Sequence, residues 1–513
     1  MYDHTEMTSF DLQHYVILIK DSCFSNFYTT AVSVIVGLLV ILLLFRKGRP
    51  SNAPPYASLG IPLIGNCLSL AKNPVGFIDE CFKKYGSIYT VAMGPKNLTF
   101  LIGPDVSVPF YNKGDDIMSQ TEVYKFMTPV FGKGVVYDAS VDKRNIQYQG
   151  MSTGLGDKPL ESYVPKIEKE TLEYLSQWGN EGEIDLLEKL SELTILTSSR
   201  CLHGDDVRDQ LGPEVARLYH DLDKGVTPVS FFFPNAPTEA HKQRDNARIE
   251  MVKIFAPIIK ARREMGSEAN KDRTDILQVF VDMKYKDGTA LSDDEVVGLL
   301  IALLFAGQHT SSITSTWTTM YLLHNKNCFD KFLEEQSSVF ETEKLSNKTV
   351  EYAHVKKMNY LECCIKESLR LQPPLIMLMR AALSDIETET FDGKKYIIPK
   401  GDIVITSPAV SGRLDHVFKD PNTFDPSRFG PERNEDQKNT DNIKKRYSFT
   451  GFGGGKHMCK GQQFGILQVK TIVSILLRNY SFTLVDKEFP EPDYTAMVVG
   501  PKNHLKVKYK RIV

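Results

Sequence analysis

A chain of 513 residues with 42% hydrophobic and 25% charged residues has the composition of a globular protein with a sizeable core, and its formal net charge of −2 gives no reason to invoke nucleic acid as a partner. The eight cysteines (Cys23, Cys67, Cys81, Cys201, Cys328, Cys363, Cys364, Cys459) are scattered without a framework, which argues against a disulfide scaffold and for reducing surroundings. The length would allow about three domains. No Ser/Gly-rich or Pro-rich linker divides the chain after residue 60, so one large domain over 61–513 is expected.

The N-terminus is separate in character. Phe27 to Phe45 is a run of 19 residues without a charge, ending in Arg46-Lys47-Gly48-Arg49. As a helix it would span roughly 28 Å, enough for a bilayer core. The basic cluster Arg46, Lys47 and Arg49 is expected to stay cytosolic, leaving residues 1–26 on the lumenal side. A cleaved signal peptide fits less well. The segment before the apolar run is acidic (Asp3, Glu6, Asp11), and the run is longer than a signal core. Residues 46–60, with Pro50, Pro54 and Pro55, read as a basic, stiff connector to the main domain.

Along the main domain, strand signals are few: Ser87 to Met93, Thr99 to Ile102, Tyr396 to Ile398, Asp402 to Thr406 and Leu505 to Tyr509. Long helical patterns dominate. Asp293 to Asn325 is the longest, opened by a capping box of Ser292 and Glu295. Its first half, Val296 to Phe305, is apolar on all sides, as a buried central helix would be, and is too short before Gln308-His309 to be a second membrane span. Met358 to Leu371 is a helix stopped by Pro373-Pro374, and Gln463 to Arg478 is another with an apolar face. The expected fold is mostly α with small peripheral β-sheets.

Three constellations carry chemistry. In the central helix, Ala306 and Gly307 are small enough for a flat ligand to approach the backbone. Thr310 can return its hydroxyl to the carbonyl of Ala306, bending the helix and leaving a hydroxyl in the groove. His309 beside it carries an imidazole, the side chain suited to passing protons, and an ordinary satisfied packing site is the bland alternative for the pair. Glu367 and Arg370 lie on one helical face at i, i+3, amid apolar Leu361, Ile365, Leu369 and Leu371, and a buried pair there needs further hydrogen bonds that Arg428 can supply. The third is Phe452-Gly453-Gly454-Gly455-Lys456-His457-Met458-Cys459-Lys460-Gly461. A zinc site would need further ligands at finger spacing, and a phosphate loop would need Ser or Thr after Gly455-Lys456. A buried, inert cysteine is the bland alternative. A glycine-lined loop ending in one cysteine suits a thiolate that ligates iron against a flat group.

In order and spacing, the cysteine loop, the Glu367/Arg370 pair, the Arg428 segment and the Gly307/Thr310 helix resemble the cytochrome P450 haem-thiolate monooxygenases, over essentially all of residues 50–513. Four segments are similar to the sterol 14α-demethylase branch of that family: Tyr124 to Asp138, Cys201 to Gly204, Leu218 to Gly225, and Ala306 to Ser311 with histidine where most relatives have an acid. The style of the sequence is nearest to fungal and animal members.

The resemblance implies haem b with Cys459 as axial ligand, and Tyr124, Tyr137, Arg380, Lys456 and His457 around the haem propionates. It implies a pocket of Phe126, Met127, Phe131, Ala306, Leu375, Met377, Met379 and Met497, and an Asp223–His309 pair relaying protons toward Thr310. The reaction would be three oxidations removing the 14α-methyl of a lanosterol-like sterol as formate. O2 and an NADPH-dependent reductase would serve it at the endoplasmic reticulum membrane, the catalytic domain facing the cytosol. Lys444, Lys445 and Arg446, with Lys460, would present the reductase with a positive docking face, the alternative for that run being a solvated loop. The chain departs from the family pattern at Lys456 (usually arginine), Gly451 (usually proline), Lys460 (usually apolar) and Gln147-Tyr148-Gln149, where lysines normally stand and Lys143 or Arg144 would have to substitute. These departures leave open a haem-thiolate hydroxylase or isomerase of another lipid, and a sterol-binding relative without turnover.

Overall fold

Ser292 and Glu295 cap each other's backbone at the start of the helix around which the domain is built, Asp293–His324. The computed structural model describes residues 49–58, 64–93, 96–210, 213–436, 442 and 445–512. The expected membrane anchor at 27–45 and the segment 1–26 lie outside the described residues, as does Lys444.

Eight helices position the site: α1 (Val141–Gly154), α2 (Asp157–Ser176), α3 (Leu186–Ser198), α4 (Pro213–Lys224), α5 (Glu239–Ala269, broken at Gly266 with φ 75°), α6 (Asp293–His324), α7 (Asn359–Leu371) and α8 (Gln462–Asn479). Helix α6 is long and apolar enough to cross a membrane by composition, yet it is the core of the fold. Leu299, Leu300, Ile301 and Leu304 are fully buried in the main hydrophobic cluster, among residues of α2, α3, α5, α7 and α8. Gly298 is where the short helix Thr128–Phe131 seats on α6. A Cβ there would lie 2.0 Å from the Phe131 carbonyl oxygen, so only glycine lets the two backbones meet.

The strands lie apart from this helical mass. A six-stranded sheet runs β1 (Tyr56–Ala57), β2 (Ile88–Met93), β3 (Lys96–Leu101), β9 (Ile403–Thr406), β6 (Leu378–Ala382), β4 (Met118–Ser119). Its register sets Thr90 opposite Thr99, Thr99 opposite Val404, and Arg380 opposite Val404. β10 (Tyr480–Leu484), β11 (Lys506–Arg511) and β5 (Glu181–Asp185) form a second sheet, and β7 (Ile386–Glu389) with β8 (Lys395–Ile398) a hairpin. The mostly α architecture with small sheets is as expected. Arg49, the last residue of the basic cluster, donates to Asp402 Oδ2 at 2.9 Å and lies over the Tyr56 ring, tying the connector to the first sheet.

Candidate active site

Burial along α6 is interrupted once. Val296 to Phe305 and Ser311 to Leu322 are almost wholly buried, but Ala306 is exposed and Gly307 to Thr310 are half-buried, so the core helix opens onto a cleft there. The Thr310 hydroxyl donates to the Ala306 carbonyl at 2.6 Å, and Thr314 repeats the bond onto Thr310 at 2.6 Å. Such back-bonding diverts carbonyls from the helical ladder and bends the helix outward. The oxygen of Thr310 keeps its lone pairs free to accept from water. His309 Nε2 lies 3.6 Å from Asp223 Oδ1 on α4, with the two side chains 28% and 42% exposed, so the pair links the cleft to solvent.

Cys459 is the one described cysteine that is exposed; Cys67, Cys328 and Cys363 are half-buried, and Cys81, Cys201 and Cys364 buried. Its loop owes its shape to glycine. Gly455 takes φ 62°, and a Cβ on it would meet the Tyr111 carbonyl oxygen at 2.0 Å. The Cys459 N–H donates to Phe452 O at 2.9 Å, which closes the loop. The thiol opens to the cleft but is walled by protein on its other sides, and that desolvation pushes its pKa up; the Gly461 N–H and the Lys460 charge pull the other way. Helix α8 begins three residues later, with its positive end toward the sulfur. Helices α8 and α6 touch at Gly465 and Ser311, where a Cβ on the glycine would lie 3.9 Å from the serine hydroxyl. That contact places Cys459 and Thr310 along one seam. No group of three His, Cys, Asp or Glu side chains able to hold a metal occurs among the described residues.

One wall of the cleft is aromatic. Tyr124 and Tyr137 stack at 5.0 Å, and Tyr124 OH accepts from the Met379 N–H at 3.3 Å. Burial raises both phenol pKa values, so both hydroxyls are neutral donors at pH 7. Phe131 meets Phe305 edge-on at 6.0 Å, Phe305 meets His309 at 6.0 Å, and Phe126 meets Phe231 at 5.7 Å. Phe126, Met127 and Phe131 are buried, while Met377 and Met379 are half-buried at the sheet edge. The Val499 N–H donates to Pro374 O at 2.8 Å, which brings the segment of Met497 alongside that of Leu375; both side chains are exposed, at 47% and 41%. Sequence reasoning missed Phe231 and Phe305. Phe305 was legible as the residue before Ala306, whereas Phe231 had no signal.

Beside the cysteine loop lies a recess rich in donors. Arg380, 3% exposed, donates to Phe110 O at 2.7 Å and covers the Phe110 ring at 4.5 Å, but its Nε has no partner. Desolvation pulls its pKa down to about 10. His457 Nε2 is also without a hydrogen bond, 3.7 Å from Asp115 Oδ1, and burial holds this imidazole neutral, down at about 4. Lys456 is exposed, with Nζ 3.5 Å from the Cβ position of Gly114. Lys143 is not part of this recess; it pairs with Glu295 at 3.5 Å and lies over the Tyr285 ring. Idle buried donors with so few acids fit a group that brings its own carboxylates, as the propionates of a haem would.

The expected buried triad is formed. Glu367 takes Arg370 Nε and Nη2 at 2.7 Å each, Arg428 Nε at 3.2 Å and the Asp425 N–H at 2.9 Å. Arg370 Nη1 also donates to Gly412 O and Pro421 O, and Arg428 Nη2 to Asp420 O. The satisfied triad ties α7 to the segment that leads into the cysteine loop.

A buried core helix opened at Ala306–Thr310, a cysteine loop capped by α8, and a Glu–Arg–Arg triad are the frame of a haem-thiolate enzyme. The cytochrome P450 family model matches residues 54–509, and the chain belongs to that family, whose cofactor is haem b on a cysteine thiolate. Among curated relatives, it is 45% identical over 486 residues to the sterol 14-demethylase of Arabidopsis thaliana, covering 94% of this chain and 97% of the relative. The obtusifoliol 14-alpha demethylase of Sorghum bicolor is 45% identical, with 93% and 94% covered, and the lanosterol 14-alpha demethylase of Homo sapiens is 39% identical, with 90% and 87% covered. These plant relatives are more similar than the mammalian one, against the fungal and animal kinship expected from motif style. A retinoic acid-bound cyanobacterial CYP120A1 shares the fold with a TM-score of 0.74 at 22% identity, covering 90% of this chain and all of that one.

Proposed function

We propose that this protein is a sterol 14α-demethylase of sterol biosynthesis, with Cys459 as the iron ligand. The haem supplies the activation of O2 that drives three successive oxidations of the 14α-methyl of a lanosterol- or obtusifoliol-type sterol, released as formate. The observation that carries the reading is the His309–Asp223 pair at 3.6 Å beside the Thr310 groove, a histidine where most haem-thiolate relatives have an acid. Three relatives named as sterol, obtusifoliol and lanosterol 14-demethylases, each matched over nearly its whole length, support it.

The side chains divide the work. Asp223 and His309 carry protons from solvent to the groove, and Thr310 holds a water there by accepting from it. Phe126, Met127, Phe131, Ala306, Leu375, Met377, Met379 and Met497 exclude bulk water and orient the rigid apolar sterol. Tyr124, Tyr137, Arg380, Lys456 and His457 bind the propionates, and Glu367 with Arg370 and Arg428 holds the loop below. The run 27–45 anchors the chain in the endoplasmic reticulum membrane with residues 1–26 lumenal and the catalytic domain cytosolic. Arg49 sits on the domain surface, only four residues past that run, so at most about 14 Å of chain separates domain from bilayer. An NADPH-dependent reductase in the same membrane supplies electrons, docking at the exposed Lys445, Arg446 and Lys460. Carbon-monoxide difference spectra test the ligand: the reduced protein should show the thiolate band and Cys459→Ser should lose it. A thiolate band surviving in that variant would refute the assignment.

A further inference from the structure

The recess around Asp115 holds one more buried cation than the propionate residues named above. Arg144 on α1 is 1% exposed. Its Nη1 donates to Thr121 Oγ1 at 2.7 Å. Its Nη2 lies 3.0 Å from Asp115 Oδ2 but is not aligned to donate, and neither Nε nor Nη2 has a hydrogen-bond partner. The other Asp115 oxygen faces His457 Nε2 at 3.7 Å, so one carboxylate stands between Arg144 and the residue two before Cys459. Arg380 is close enough that its charge acts on His457, and Asp115 acts on Arg380 in turn.

A buried guanidinium with two idle donors is costly unless something satisfies it. Arg144 and Arg380 are buried cations close to one carboxylate, Asp115. A propionate carboxylate would offset the positive charge that remains and accept from the idle donors. Among the residues of α1, Lys143 turns away toward Glu295, and Tyr148, one turn after Arg144, brings a ring without a charge. Arg144 is therefore the cation that α1 offers to the recess.

We propose that Arg144 is a positioning residue for the haem, holding a propionate through Nε and Nη2, and that Asp115 orients Arg144 and tempers the positive field of the recess. The inference rests on the haem-thiolate reading of Cys459.

The test uses the full-length holoprotein with Arg144→Gln, Arg144→Lys and Asp115→Asn. Two quantities are read: the haem reduction potential and the rate of haem transfer to excess apomyoglobin. Arg144→Gln removes a positive charge near the iron and should lower the potential, with haem transfer at least about tenfold faster. Asp115→Asn removes a negative charge and should raise the potential. Arg144→Lys keeps the charge but loses the fork, so it should release haem faster with the potential little changed. Should Arg144→Gln yield no holoprotein, Arg144→Lys and Asp115→Asn carry the test. Potentials and transfer rates like those of the unchanged protein, or Arg144→Gln and Asp115→Asn shifting the potential in the same direction, would overturn the proposal. The carbon-monoxide thiolate band, recorded in each variant, separates that outcome from a failure of the Cys459 assignment.

Discussion

Asp223→Asn tests the proton route most sharply, because its effects on folding and on turnover separate. The pair it breaks joins α4 to α6 at 3.6 Å with both side chains partly in solvent. Exposed pairs of this kind contribute about 0–1 kcal/mol. Against a total stability of roughly 5–15 kcal/mol, the variant should fold, bind haem and bind sterol as the unchanged protein does. Turnover should differ. A positioned acid or base contributes about 10²–10⁴-fold when it acts directly. Asp223 acts through His309, and His309 through Thr310 and water, so the loss should fall at or below the low end, about tenfold to a hundredfold. That corresponds to about 1.4–2.7 kcal/mol in the barrier. The assay is formate released per minute with purified reductase and saturating sterol, in H2O and in D2O, alongside a sterol-binding titration. The variant should bind sterol normally, turn over slowly and show a larger solvent isotope effect. Turnover within about twofold of the unchanged protein, with the same isotope effect, would remove Asp223 and His309 from the proton route.

Thr310→Val keeps the shape but deletes the hydroxyl that donates to Ala306; NADPH should still be consumed, with more of it lost as peroxide, and an unchanged formate-to-NADPH ratio would deny the hydroxyl a role. Glu367→Ala strands two arginines that are 1% exposed and one backbone N–H, a loss of about 3–5 kcal/mol, so holoprotein should fail to accumulate in cells; normal accumulation would count against the triad as a structural tie. His203 donates through Nε2 to Leu300 O at 3.1 Å in a π-helical turn, and burial pushes its imidazole from 6.5 down to about 4. Between those values the unfolded chain binds the extra proton, so stability present above pH 6.5 is lost as pH falls, by up to about 3 kcal/mol near pH 4. Chemical denaturation of His203→Gln from pH 7 to 5 should show a flatter loss; curves that stay parallel would contradict the buried neutral state.

The helical frame was legible because its signals are local. The capping box at Ser292 and the all-round apolar run marked α6 to within a residue, and proline after Leu371 marked the end of α7. Strands fared worse. β5 reads Glu181-Gly182-Glu183-Ile184-Asp185 and pairs with β11 along its whole length with one apolar side chain, so no apolar alternation announces it, and β1 and β4 are two residues each. In the site, the cysteine loop and Thr310 were legible from side-chain chemistry at fixed spacing. The choice between Lys143 and Arg144 was not. Adjacent helical residues point about 100° apart, and only the packing of Asp115 and Thr121 on one side and Glu295 and Tyr285 on the other decides which faces the recess. Asp115 itself lies in a loop and meets its partners 29 and 342 positions along the chain, which no periodicity encodes.

The central claim meets its most direct test in the full-length holoprotein, supplied with reductase, NADPH and either lanosterol or obtusifoliol labelled at the 14α-methyl carbon. Labelled formate should appear with at least one of the two sterols, in step with loss of the methyl group, and should be absent with Cys459→Ser. A thiolate spectrum without labelled formate from either sterol would contradict the demethylase account while leaving the haem-thiolate fold intact.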